Sequence, residues 1–111
     1  MGELADASGR ISTAVGAGAL ASGNVSSAFG DLSTASGFAS TALGKSTAAA
    51  GNYSIAGGSE ATANGANSVA FGGGDGLSSF GAVANNSGDI AIGTNSVAGL
   101  DSSDPNYSNQ I

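Results

Sequence analysis

Val25–Gly51 reads VSSAFGDLSTASGFASTALGKSTAAAG, and a glycine closes each successive group of seven residues. Followed outward, the glycine keeps that phase at Gly9, Gly16, Gly23, Gly30, Gly37, Gly44, Gly51, Gly58, Gly65 and Gly72, and it returns in phase at Gly93. Two residues before each stands an alanine, from Ala7 to Ala70, and Ala84, Ala91 and Ala98 continue the phase. Four residues before stands another small side chain: Ala5, Ser12, Ala19, Ser26, Ser33, Ser40, Thr47, Ser54, Ala61 and Ser68. The unit is [SA]-x-A-x-G-x-x, repeated ten times without a gap, which marks a repeat architecture.

A seven-residue period is shared with coiled coils, but those need bulky apolar residues at two places in each heptad. Here the regular places hold Gly, Ala and Ser, and ten glycines inside a helix cost roughly 10 kcal/mol relative to alanine. That equals the whole stability of a typical domain, so the helix is rejected. A strand accounts for the same pattern. Small residues alternate with variable ones at the period of two that separates the faces of a strand, and glycine marks a corner that needs φ > 0 or has no room for a side chain. Gly, Ala and Ser then point into a narrow interior, and the variable positions point outward.

The residue before each glycine sets the size of a coil. It runs Ser8, Val15, Ser22, Phe29, Ser36, Leu43, Ala50, Gly57, Asn64, Phe71, so bulk recurs mainly every fourteen residues, with Gly57 the exception. One coil is therefore two strands and two turns. Residues 3–99 make up a repeat domain of roughly seven coils, about 34 Å long at ~4.8 Å per coil, and residues 100–111 form a cap, a linker or the start of a neck. One strand of each coil carries outward Val15, Phe29, Leu43, Ile55, Val69 or Phe71. The alternate strands carry Ser8, Ser22, Thr34, Ser36, Ala48, Ala50, Thr62 and Asn64, with Leu20 the main bulky exception.

Soluble monomers rarely leave so long an apolar row in water, and burying each of those side chains is worth about 1.5–3 kcal/mol. The row therefore predicts an obligate oligomer with Val15, Phe29, Leu43, Ile55, Val69, Phe71, Val83 and Val97 as its interface. Residues 73–81, GGDGLSSFG, break the code, and Asn86 then takes the glycine place. Ile90 and Ile92 bring bulk to what strict counting makes the polar strand. A local insertion at 73–81 would exchange the strand roles, an alternative left open by the sequence.

Composition narrows the chemistry. The 111 residues contain no Cys, no His and no Trp, and only Arg10 and Lys45 oppose eight acidic residues, for a net charge of −6. Nucleic-acid binding needs clustered cations, and disulfides are excluded. The N-terminus MGELADASGR has no apolar core of a secretory signal, and no stretch is long and apolar enough to span a bilayer as a helix. GAGALA, Gly16 to Ala21, matches a dinucleotide pattern, but the repeat already accounts for Gly16 and no strand–helix unit surrounds it. GGGDG, Gly72 to Gly76, is read as a loop bulge rather than a calcium repeat. No triad or metal cluster can be drawn, so no enzyme activity and no cofactor are expected. Phe38, Tyr53 and Phe80 fall at corners, where packing in an interface is favoured over a direct role in adhesion. The sequons at Asn24, Asn52, Asn85 and Asn106 are expected by chance in so Asn- and Ser-rich a chain.

The units NSVAFG (Asn67 to Gly72) and DIAIGTNSVAG (Asp89 to Gly99), with the S-x-A-x-G-x-x tandem, resemble the head repeats of YadA-like trimeric autotransporter adhesins over residues 3–99. By that resemblance Val69 and Phe71 hold the apolar places of an NSVAIG motif, with Phe71 in place of Ile. The resemblance implies an all-β, left-handed parallel β-roll, homotrimeric, displayed on a Gram-negative cell surface and binding host matrix or cells. Two alternatives stay beside it: a subunit that stacks end to end on further copies in an extracellular filament or phage fibre, and an ice-binding solenoid using the flat face of Thr34, Ser36, Ala48, Ala50, Thr62 and Asn64. The chain shows no stalk and no anchoring barrel, so display would depend on segments beyond it.

Overall fold

The computed structural model describes residues 1–99. The expected cap, linker or neck at 100–111 lies outside the described residues. Twelve short strands alternate between two parallel sheets: β1 (Thr13–Val15), β2 (Leu20–Ala21), β3 (Ser27–Phe29), β4 (Thr34–Ala35), β5 (Thr41–Leu43), β6 (Ala48–Ala49), β7 (Ile55–Gly57), β8 (Thr62–Ala63), β9 (Val69–Phe71), β10 (Val83–Ala84), β11 (Ile90–Ile92) and β12 (Val97–Ala98). Sheet one has the order β1-β3-β5-β7-β9-β11, and sheet two the order β12-β10-β8-β6-β4-β2. The fold is an all-β parallel solenoid.

The alanine column explains the coil. Ala28, Ala42, Ala56, Ala70 and Ala91 of sheet one and Ala21, Ala35, Ala49, Ala63, Ala84 and Ala98 of sheet two are fully buried. They stack in register, Ala28 opposite Ala42 and Ala42 opposite Ala56. A larger side chain at any of them would have to force the two sheets apart. Each coil also exchanges hydrogen bonds with the next, as in Ser27 N donating to Ser40 O at 2.9 Å and Gly30 N donating back to Val15 O at 2.8 Å. Backbone groups that a thin, alanine-lined core would otherwise leave unpaired are satisfied by the neighbouring coil.

The corner glycines are needed chiefly for space. A Cβ on Gly23 would run into the carbonyl of Gly37 in the next coil. At Gly30 the Cβ would stand 2.5 Å from the Gly44 carbonyl oxygen, and the residue has φ 131°. The two glycine columns thus differ: the one through Gly16, Gly30 and Gly44 needs both room and a left-handed backbone, whereas Gly23 and Gly37 need room alone.

The left-handed turn residue proper is found two places after the glycine, where the sequence reading did not put it. Ile11 (φ 56°), Val25 (φ 62°), Leu32 (φ 57°) and Tyr53 (φ 59°) all sit there, in turns closed by bonds such as Ser33 N to Gly30 O at 3.2 Å. Such a turn favours Gly or Asn at this place. Stacking holds the strained residue: Val25 N donates to Arg10 O at 2.7 Å and Tyr53 N to Phe38 O at 2.7 Å, turn upon turn. Val25→Asn should therefore raise stability by about 1 kcal/mol, read from the denaturant midpoint; an unchanged or lower midpoint would mean that the ladder removes the strain.

Inside the corners the serines divide into two kinds. Ser33 Oγ donates to Gly30 O at 2.9 Å and Thr47 Oγ1 to Gly44 O at 2.9 Å. Ser26, Ser40, Ser54 and Ser68 are buried with no partner for Oγ. An unpaired buried hydroxyl carries its full desolvation cost. Ser40→Ala is expected to stabilise by about 1 kcal/mol, whereas Ser33→Ala should cost about the same amount; equal effects in thermal melts would refute the distinction.

The coil count is corrected from seven to about six. Residues 1–12 form no strand and pair with the sheets only through the bridge of Asp6 to Leu20, and residues 73–81 form no strand. This loop leaves the corner at Gly72 and is closed at its base by Ala82 N to Gly72 O at 2.9 Å.

Candidate functional site

The loop at 73–81 changes which residues share a face. Because it replaces one strand's worth of repeat, β9 pairs with β11, so Ile90 lies beside Val69 and Ile92 beside Phe71. Val83 and Val97, expected on the apolar row, instead pair in sheet two, with Val83 opposite both Thr62 and Val97. This corrects the strict count. The break in the repeat and the bulk of Ile90 and Ile92 were the signals that pointed to the exchange.

The outer side of sheet one therefore carries Val15, Phe29, Leu43, Phe71 and Ile92 in one column, and in the other Thr13, Ser27 and Thr41 followed by Ile55, Val69 and Ile90. The exposed members are between 37 and 48 % accessible. At the odd position in the bulky column, Gly57, a Cβ would collide with the ring of Phe71. Phe71 thus folds back over its own preceding coil, which accounts for the interruption at Gly57. The outer side of sheet two is small and polar through Thr34, Ala48 and Thr62 and becomes apolar at Val83 and Val97.

No charged side chain lies in any of the twelve strands. Charge is confined mainly to the turns. One edge carries Glu3, Asp31, Lys45 and Glu60; the other carries Arg10 with the exposed apolar residues Ile11, Val25, Phe38 and Tyr53. Phe38 and Tyr53 pack edge to face with ring centres 5.4 Å apart, a stacked pair contributed by adjacent coils. Among the described residues no group of three His, Cys, Asp or Glu side chains gathers in a metal-ligand arrangement.

A concave feature lies on sheet two where the loop crosses it. An open pocket of about 440 Å³ is lined by Glu60, Ser78, Phe80, Gly81, Val83, Asn95 and Val97. Phe80 is held to the next coil at both ends of its backbone: its N–H donates to Asn95 Oδ1 at 2.6 Å, and Asn95 N donates to its carbonyl at 2.9 Å. Asp75 organises the rest of the loop. Its Oδ1 accepts from the N–H groups of Leu77, Ser78 and Ser79, each at 2.9 Å, and Oδ2 accepts from Ser78 Oγ at 3.0 Å. Those donors, Leu77 and Ser79 before Ser78, hold its carboxyl well below the usual carboxylate range.

A depressed carboxyl stabilises above its unfolded pKa and loses that stabilisation only as pH falls through the folded value. The loop is therefore expected to keep its turn through about pH 4, where ordinary carboxylates protonate. Asp75→Ala should release residues 73–81 to rapid amide exchange while the coils stay protected, and Asp75→Asn should retain most of the order. Unchanged exchange in Asp75→Ala would mean that Phe80 alone secures the loop.

Comparison with known proteins adds one match. The family described as YadA head domain repeat matches residues 7–33, 35–61 and 58–74, more than half of the chain. No curated protein matches it.

Proposed function

Because this chain belongs to the YadA head domain repeat family, we propose that it is a non-enzymatic adhesin head that works as a homotrimer outside the cell, binding host matrix proteins or cell surfaces. Three rolls run side by side in the same direction, with the apolar side of sheet one as the main interface. The observation that carries this reading is the outer side of sheet one. In a chain of net charge −6, it combines an apolar row, whose gap at Gly57 is covered by the Phe71 ring, with strands that carry no charge. Depletion of charge with enrichment of apolar and aromatic residues is the mark of an interface core.

The core supports the same reading. Alanine and serine bury little apolar area per residue, so the interior of a single roll supplies a modest hydrophobic driving force. Val15, Phe29, Leu43, Ile55, Phe71 and Ile92 are already more than half buried in the single chain, so covering the rest between copies adds about 0.6–1.3 kcal/mol for each, before the cost of association. The turn-rich edges, with their charges and the Phe38–Tyr53 pair, remain for contact with other molecules.

Light scattering over a wide concentration range tests the assembly. A constant mass of three chains is expected; a single-chain mass overturns the trimer, and a mass that grows with concentration replaces it with end-to-end stacking. Retention on immobilised matrix proteins, compared with retention on albumin, tests the adhesive role.

A further inference from the structure

We propose that the pocket between the 73–81 loop and sheet two is a binding site for an arginine side chain presented by a partner protein, with Glu60 as the counter-charge. The site lies within one chain, so it does not depend on how copies assemble. It rests on the adhesive reading above only in giving the arginine a source, and it deepens that reading by naming the chemistry a partner must bring. The loop is fitted around Glu60. A Cβ on Gly76, where φ is 75°, would stand 2.7 Å from Glu60 Oε1, and a Cβ on Gly81 would run into the Glu60 backbone. Two glycines of the segment that breaks the repeat thus close on a single residue, and insertions into a regular scaffold are where binding concentrates.

The chemistry of the pocket selects the occupant. Val83 and Val97, paired in sheet two, supply an apolar floor, and Phe80 and Glu60 add an exposed ring and a carboxylate. Asp75, the other carboxylate of this region, is engaged by the N–H groups of Leu77, Ser78 and Ser79 and by Ser78 Oγ. The charge offered to a ligand is therefore that of Glu60. A purely apolar occupant would desolvate that carboxylate without pairing it, and a small cation would leave the valines and the ring in water. A long apolar stem with a cationic head satisfies both. Guanidinium is favoured over ammonium because it stacks on an aromatic ring and meets a carboxylate with two parallel N–H donors. The backbone that carries the ring is fixed in advance: Phe80 N donates to Asn95 Oδ1 at 2.6 Å, and its carbonyl accepts from Asn95 N at 2.9 Å. A chain of net charge −6 also attracts basic partners at long range.

Titration of N-acetyl-arginine amide into the isotope-labelled protein, followed by amide chemical shifts, tests the site. Shifts are expected at Glu60, Phe80, Gly81, Val83 and Val97, with a Kd on the order of 1 mM for a ligand of so few atoms. N-acetyl-norleucine amide, which keeps the stem and lacks the head, should move none of them. Glu60→Gln keeps the shape and removes the charge, and it should weaken binding about tenfold; Phe80→Leu should weaken it about threefold. Asp31→Asn, on the same edge two coils earlier, should leave it unchanged. Equal weakening by Glu60→Gln and Asp31→Asn would reduce the interaction to general attraction by an acidic surface and overturn the site. Equal affinity for N-acetyl-lysine amide would overturn the choice of arginine. The titration needs neither a trimer nor a matrix protein, so the two readings fail separately. Pocket shifts in a protein that no matrix protein retains would remove the adhesive role and leave the site; retention on matrix proteins without pocket shifts would remove the site and leave the adhesion.

Discussion

Gly37→Ala is expected to lower the melting temperature severely, although the change adds a single methyl group. The new Cβ would be driven into the backbone carbonyl of Gly51, with its carbon 2.5 Å away. Backbone cannot rotate aside as a side chain can. Relief would require the coils to separate at that corner, yet their spacing is set on both sides by bonds such as Ser36 N to Ala49 O at 3.1 Å and Ala39 N to Asn24 O at 2.8 Å. Opening one corner therefore sacrifices hydrogen bonds along two strands and a turn. A loss above about 4 kcal/mol is expected, against a total of about 5–15 kcal/mol for a typical domain. The φ of Gly37 is not in the left-handed region, so the effect isolates crowding from backbone strain. Gly88 supplies the converse case, with φ 78° and nothing within 4 Å of an added Cβ. Gly88→Ala should cost only about 1–2 kcal/mol, the strain of a left-handed alanine. Thermal melts followed by circular dichroism compare the two, and a Gly37→Ala protein as stable as Gly88→Ala would refute close stacking as the reason for the glycine period.

Stacking also explains what could be read from the sequence. Each coil imposes the same environment on the next, so a position that faces the interior shows the same small residue again and again, and the period survives any change in the outward residues. Ala42 and Gly37 announce themselves for that reason. Ile11, Val25 and Leu32 do not. Their left-handed backbone is held by a ladder of turn hydrogen bonds, so their side chains answer to solvent and carry no trace of the conformation. Asn67 and Asn95 occupy the same place and were the available hint. Val83 and Val97 were misplaced because a count by sevens cannot tell a strand from a loop of similar length. Only the failure of residues 75, 77 and 79 to supply a small residue, Ala and Gly separates the two. The pocket on sheet two was invisible for a further reason: it is formed where the loop meets Glu60 and the next coil at Asn95, a contact with no period at all. Asn86 shows the repeat being released at its end. Its side chain bonds Gly99 O at 2.9 Å, and its N–H bonds the Asp89 carboxylate at 2.8 Å, so Asn and Asp together replace the glycine and serine of the earlier corners.

Phe29→Asp combined with Leu43→Asp is expected to abolish the assembly. The two residues are paired neighbours on β3 and β5, in the middle of the apolar row, and each is about two-fifths exposed in the single chain. A carboxylate on that side of an isolated roll faces water and meets no part of the alanine core. Between the copies of the proposed trimer it is different. Removing both side chains forfeits about 1–2.5 kcal/mol of interface burial per chain, and each carboxylate forced into the interface adds a desolvation penalty of several kcal/mol, which is the larger effect. Light scattering should give the mass of one chain at concentrations where the parent is expected to give that of three, with a lowered melting temperature because folding no longer draws on association. Ser36→Asp with Ala50→Asp, on sheet two at the edge away from the pocket, supplies the same charge and should change neither quantity. The pair of experiments separates the location of charge from its amount. A trimer that survives Phe29→Asp/Leu43→Asp would show that the copies meet through another surface, and the apolar row would then have to be the adhesive face itself, able to accept a hydrophobic partner and not merely a second copy of the chain.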